Sequence, residues 1–130
     1  MFQISSYHSD LVQTITSALI EEGYDVLVSD NQLLPEIVFK YIDESDKKEK
    51  VCFLTIVTSD RVNNPTYWDS IAKIYKEKIK GKDCSIIFFL DDDIDWKHIR
   101  YKLQSYQINS TKNTNVFLST NLLEDNLVQC

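Results

Sequence analysis

Four aspartates in one short segment are the feature of this 130-residue sequence that most suggests chemistry. Asp91, Asp92, Asp93 and Asp95 directly follow residues 86–90, an apolar run typical of a buried strand. Carboxylates suit a magnesium ion, and Asp91 and Asp93 are the candidate ligands. Acids at the start of a helix also complement the helix dipole. We favour this second explanation and assign no metal site, because the first predicted strand ends in serines and supplies no partner carboxylate.

The two histidines and three cysteines form no catalytic pattern. His8 follows the first predicted strand, where it could reach a ligand, whereas His98 lies on a predicted helix. Neither histidine has a nucleophile or an acidic partner at a recognisable spacing. Cys52 and Cys84 lie in apolar runs and Cys130 is the last residue, so the odd count argues against a disulfide framework. Reduced cysteines predict a cytoplasmic protein.

Composition excludes several classes of function. The only glycines, Gly23 and Gly81, are far apart, which rules out the glycine-rich loops that cradle phosphates. The net charge of −6 argues against a general nucleic-acid clamp, so a nucleic-acid partner is not expected. The N-terminus shows no signal-peptide pattern, and the longest apolar run is too short to span a bilayer, so no membrane association is expected.

Apolar periodicity predicts five alternations of strand and helix. The predicted strands are residues 2–5, 26–28, 51–57, 86–90 and 116–118. The predicted helices begin near Ser9, Pro35, Pro65, Asp95 and Asn121. The segment 36–42 is also rich in strand-forming residues, so helix and strand both remain open there. The alternation predicts a single α/β domain over residues 1–130, with a parallel sheet covered by helices on both faces. Sites in such sheets lie beyond the carboxyl ends of the strands.

Several of these segments resemble Toll/interleukin-receptor (TIR) domains. Residues 2–10 are similar to the opening strand and Ser-Tyr loop of that family, and residues 22–30 look like its second strand after a glycine-ended helix. Residues 33–36 resemble the Leu-Pro loop that follows. Residues 57–68 are similar to the third strand, a serine turn and a helix entered by tryptophan.

The resemblance implies a three-layer, flavodoxin-like fold with a five-stranded parallel sheet in the order 2-1-3-4-5. It implies a protein-interaction or signalling module, with a role in bacterial antiviral defence as the functional hypothesis. Such a module binds a protein partner or associates with itself through the loop after the second strand. In this chain the loop consists of Leu33, Leu34, Pro35 and Glu36.

Some members of that family cleave the nicotinamide–ribose bond of NAD, which makes NAD a candidate substrate here, although no cofactor is certain. The residues expected around a ligand are Ser6, His8, Asp30 and Trp68. The family's glutamate, four residues after the tryptophan, stabilises positive charge as nicotinamide leaves. That position is Ala72 here, and the nearest acids are Asp69 and Glu77. Whether the chain is an enzyme is therefore left open.

A second architecture fits the same residues. If residues 24–29, 35–43 and 51–58 are three strands in succession, the chain resembles the core of restriction-endonuclease-like nucleases. Pro35 and Glu36 then occupy the place of that fold's Pro-Asp, but residues 51–57 lack the acid and lysine that the next strand should supply. The implied function is a degenerate domain without metal ligands that binds protein or nucleic acid as a subunit of a larger assembly.

Overall fold

A computed structural model describes residues 6–28, 34–91, 94–119 and 127–129 of the chain. Helices and strands follow one another along it. They are α1 (Ser6–Glu21), β1 (Asp25–Val28), β2 (Ile37–Ile42), β3 (Glu49–Val57), α2 (Ser59–Val62), α3 (Pro65–Ile74), β4 (Cys84–Leu90), α4 (Trp96–Ser105), β5 (Thr114–Ser119) and β6 (Leu127–Gln129). Helix α3 continues directly into a π-helical segment, Tyr75–Ile79.

The described strands form one mixed sheet in the spatial order β1-β2-β3-β4-β5-β6. Strands β1, β2 and β3 are an antiparallel meander, β3, β4 and β5 are parallel, and β6 is antiparallel to β5. The expected parallel sheet in the order 2-1-3-4-5 is therefore wrong, whereas an α/β fold is confirmed. The connection between β2 and β3, residues 43–48, is too short for the crossover that parallel neighbours require.

The expected helix beginning at Pro35 is also wrong, because residues 37–42 form strand β2. Ile37 and Phe39 are buried beneath α1, while Lys40 between Phe39 and Tyr41 is exposed. This segment pairs with β1 on one side and β3 on the other, from Ile37 opposite Leu54 to Ile42 opposite Glu49. Pairing on both sides resolves a pattern that local periodicity left open.

Three of the five expected helices are confirmed and have recognisable ends. Helix α1 precedes Gly23, whose φ of 90° lies in the left-handed region that favours glycine. Asn64 caps α3 by accepting a hydrogen bond from the N–H of Thr66, and Asp95 caps α4 by accepting one from Lys97. The expected strand at 2–5 and the expected helix at 121 lie outside the described residues.

Apolar side chains cover both faces of the sheet. One cluster joins Ile15 and Leu19 of α1 to β2, β3 and Phe89. The other joins α3, the π-helical segment and α4 to β3, β4 and β5 around Trp68, which is completely buried. Within the described ranges, no helix combines the length and the apolar composition that a membrane span requires.

The strand directions bring several chain segments to one edge of the sheet. The carboxyl ends of β3, β4 and β5 meet there, and β2 begins beside the end of β3 because the two strands are antiparallel. We call this side of the molecule the carboxyl edge. It is the side on which parallel strands usually position ligand sites.

Candidate functional site

A buried ion pair between Glu36 and Arg61 lies at the carboxyl edge. Each residue is only 3% exposed, and the Nη1 atom of Arg61 lies 2.9 Å from Oε2 of Glu36. The same Nη1 donates a second hydrogen bond, also of 2.9 Å, to the carbonyl oxygen of Ile56. Buried charges are rare in proteins unless they are paired, so this contact is the most distinctive polar feature of the described chain.

Three local features bring the pair together. Glu36 immediately precedes β2, and the antiparallel register places it beside the end of β3. The N–H of Ile56 donates to Oε2 of Glu36 at 2.9 Å. Beyond β3 the chain turns at once into the short helix α2, whose first backbone hydrogen bond joins the N–H of Arg61 to the carbonyl of Thr58. That turn returns the arginine side chain to the strand that precedes it.

Two hydroxyl groups extend the network from Glu36 to α3. Thr55 donates to Oε1 of Glu36 at 3.0 Å, and the hydroxyl of Tyr67 lies 2.9 Å from the hydroxyl oxygen of Thr55. Because the single hydroxyl proton of Thr55 goes to the carboxylate, Tyr67 must be the donor to Thr55. The guanidinium carbon of Arg61 lies 5.2 Å from the centre of the Tyr67 ring, within the range of a cation–π contact.

Burial raises the pKa of Tyr67, and the negative charge of Glu36 raises it further. The tyrosine therefore stays protonated and can only donate to Thr55 under ordinary conditions. The arginine already neutralises the carboxylate, and both carboxylate oxygens accept hydrogen bonds. The hydrogen bonds join β2, β3, α2 and α3, so this arrangement is suited to holding the carboxyl edge together.

The structure describes one of the two candidate metal ligands, Asp91 and Asp93. Asp91 is half-buried just beyond β4, where its N–H donates to the carbonyl of Val57 at 3.1 Å. Asp93 lies outside the described residues. Across the described parts of the chain, His, Cys, Asp and Glu form no group of three that could hold a metal ion.

The expected self-association loop is largely inside the protein where it is described. Leu34 packs against the cluster around Trp68, and Pro35 and Glu36 are buried. Leu33 lies outside the described residues. Self-association through this loop stays a prediction, but only Leu34 among the described loop residues retains partial exposure.

The residues expected around NAD are not brought into one described site. Ser6 and His8 lie in the first turns of α1, and Asp30 is outside the described residues. Trp68 donates its Nε1 proton to the carbonyl of Val62 at 2.8 Å. Its ring contacts three aromatic residues, Tyr67, Phe88 and Tyr106.

The two acids near Trp68 lie on α3 and on the π-helical segment that continues it. Asp69 is exposed on α3, and Glu77 is exposed on the π-helical segment, which leads away from the carboxyl edge. The NAD hypothesis and the roles of these two acids stay predictions.

Sequence reasoning missed Arg61, Thr55 and Tyr67. The available signal was weak: Arg61 is one of only two arginines, and it lies four residues after the end of a long apolar strand. Comparison with protein-family models, with curated proteins and with solved structures finds no significant match. The fold and the buried network therefore define a mixed α/β domain with a neutralised carboxylate at its carboxyl edge.

Proposed function

We propose that this chain is a non-cleaving binding domain with a restriction-endonuclease-like core, acting as a subunit of a larger assembly. The order of elements supports it: a helix, an antiparallel meander of three strands, helices, and a strand parallel to the third. This is the order that the second resemblance implies. Under that resemblance, Pro35 and Glu36 correspond to the Pro-Asp of those nucleases.

One observation carries the proposal: the Glu36 carboxylate is paired with the guanidinium of Arg61 at 2.9 Å, and both of its oxygens accept hydrogen bonds from the protein. Strand β3, which pairs with β2, supplies no metal-ligating side chain beside Glu36. Thr55 and Val57 share a face with Glu36 by strand alternation, and neither is charged. Metal-assisted phosphodiester cleavage needs carboxylates that can hold the cation, and here the carboxylate already has a cationic partner.

The test is a cleavage assay on labelled duplex and single-stranded DNA and RNA, with Mg²⁺ or Mn²⁺ and with EDTA as the reference. We expect no cation-dependent cleavage. Binding to the same substrates is scored in parallel by mobility shift. A shift without cleavage supports a nucleic-acid partner, and its absence directs attention to a protein partner.

Glu36→Gln distinguishes true cleavage by the chain from contamination. Cation-dependent cleavage that this variant abolishes, while its circular dichroism spectrum still shows a folded protein, would contradict the proposal. Calorimetry with Mn²⁺ gives an independent readout, because we expect no binding heat that depends on Glu36.

A further inference from the structure

A cleft opens between the π-helical segment and the end of α4, away from the Glu36–Arg61 pair. Its volume is about 300 Å³, and Lys73, Lys76 and Lys80 line it together with Tyr106 and Gln107. The π-helical segment is followed, after residues 80–83, by the start of β4, so the cleft lies toward the edge of the sheet opposite the carboxyl edge. We call it the lysine cleft.

The three lysines of the lysine cleft have no carboxylate partner among the residues that the structure describes. All three are exposed, and none of them takes part in an ion pair within the described part of the chain. Glu77 is the only acid among the lining residues, so the lining carries a net charge of about +2 by ordinary ionisation. Lys73 lies in the last turn of α3 and Lys76 in that of the π-helical segment, where positive charges also complement the helix dipole.

The walls of the lysine cleft are fixed by packing. The N–H of Lys80 donates to the carbonyl of Tyr75, five residues back, at 2.7 Å. Such π-helical turns are rare and often lie at functional sites. Tyr75 is buried, and its hydroxyl donates to the carbonyl of Asn109. On the other wall, the ring of Tyr106 stacks on Trp68 with their centres 6.0 Å apart.

We propose that the lysine cleft binds a small, multiply charged phosphate compound, of the size class of pyrophosphate or a nucleotide. Its volume is at the lower end of the range of small-molecule sites, which favours a small ligand over a polymer. Lysine ammonium groups are point-charge donors to phosphate oxygens. Three unpaired lysines on one helical surface also repel one another, and an anion between them relieves that repulsion.

The direct test is calorimetry with inorganic pyrophosphate and with ATP at physiological salt, using sulfate at equal ionic strength as the reference anion. We expect at least one phosphate compound to bind with a Kd at or below about 1 mM, and sulfate to bind much more weakly. In ¹⁵N-labelled protein, the amide signals of Lys76 and Gln107 should shift on binding.

Paired variants of equal charge localise the site. Lys73→Gln with Lys76→Gln should weaken binding by about tenfold or more. Lys78→Gln with Lys82→Gln removes the same charge from the same region but does not alter the cleft lining. Its effect should be smaller, because these exposed side chains do not line the cleft and water and salt weaken the interaction of exposed charges that make no direct contact. Glu77→Gln should tighten binding, since it removes the one carboxylate that opposes an anion.

Three results would overturn the proposal. One is that neither pyrophosphate nor ATP binds at concentrations up to about 10 mM. A Kd above that value would be too weak for specific recognition. Another is equal weakening by the two paired variants, which would indicate nonspecific attraction. The third is binding of a single-stranded oligonucleotide through Lys73 and Lys76 without binding of the small compounds.

All three variants change exposed side chains, and thermal unfolding checks that they fold. Because Glu36 and Arg61 take no part, failure here leaves the proposed function untouched.

Discussion

At the scale of single residues, burial makes Glu36 and Arg61 one structural unit. Each charge alone would lose several kcal/mol of hydration in the interior, roughly the penalty per ion that real proteins show. Mutual attraction and the hydrogen bonds from Thr55 and from the N–H of Ile56 offset that loss. The pair therefore depends on both partners being present, and this dependence can be measured.

Arg61→Leu should destabilise the protein by about 3–5 kcal/mol, because it removes the guanidinium that lies 2.9 Å from the buried Glu36 carboxylate. The double variant Glu36→Gln with Arg61→Leu should recover more than half of that loss. The glutamine is neutral, and its carbonyl can still accept the hydrogen bond from Ile56. Urea unfolding of the wild type and the variants gives the free energies. A loss below about 1 kcal/mol for Arg61→Leu would mean that solvent reaches the carboxylate.

The sequence suggested Glu36 but could not suggest its partner. Pro35 and Glu36 were recognisable because a proline and an acid interrupt an apolar stretch, in the place where one resemblance needs them. Arg61 lies 25 residues further on. Its meeting with Glu36 depends on the register of β2 against β3 and on the turn into α2. Local periodicity specifies neither of these.

At the scale of elements, the caps of α3 and α4 should each have a measurable effect. Asn64→Ala and Asp95→Ala remove the side chains that accept hydrogen bonds from Thr66 and Lys97, both at 3.0 Å. Each should lower the free energy of unfolding by about 1 kcal/mol in urea. Asp95→Asn is the matched control, because asparagine is an equally good cap. If that control lost as much as Asp95→Ala, charge rather than the hydrogen bond would be responsible.

Elements with long apolar stripes and clear caps were predictable, and short ambiguous ones were not. Helices α3 and α4 begin at the expected residues because Asn64 with Pro65, and Asp95, are strong start signals. The sequence pattern of residues 37–42 fits both the helical and the strand period, and only pairing with β1 and β3 decides for strand β2. That one assignment determines whether the first three strands form a meander, so the whole strand order depended on it.

At the scale of the whole molecule, one sheet separates two apolar clusters, and each cluster contains a buried ionisable group whose pKa is raised by burial. Tyr67 lies on the α3 side and Cys52 on the α1 side. Burial raises the pKa of the Tyr67 hydroxyl above its ordinary value of 10.0 and that of the Cys52 thiol above 9.0. Above those ordinary values the unfolded chain loses protons that the folded chain keeps. Stability must therefore fall as the pH rises, because deprotonation favours the unfolded state.

Tyr67→Phe should flatten the upper part of this alkaline decline. Each proton that only the folded state retains makes stability fall by about 1.4 kcal/mol per pH unit, and the variant removes one such proton above about pH 10. Its stability near neutral pH should be lower, by about 1 kcal/mol, because the hydrogen bond to Thr55 is lost. Urea unfolding at a series of pH values separates the two effects.

Tyr101→Phe is the control, because Tyr101 is 67% exposed and its hydroxyl stays in water on folding. If both variants declined in parallel with the wild type, ionisation of Tyr67 would not drive the alkaline loss. The decline that begins near pH 9 should persist in either variant, because the buried thiol of Cys52 is unchanged.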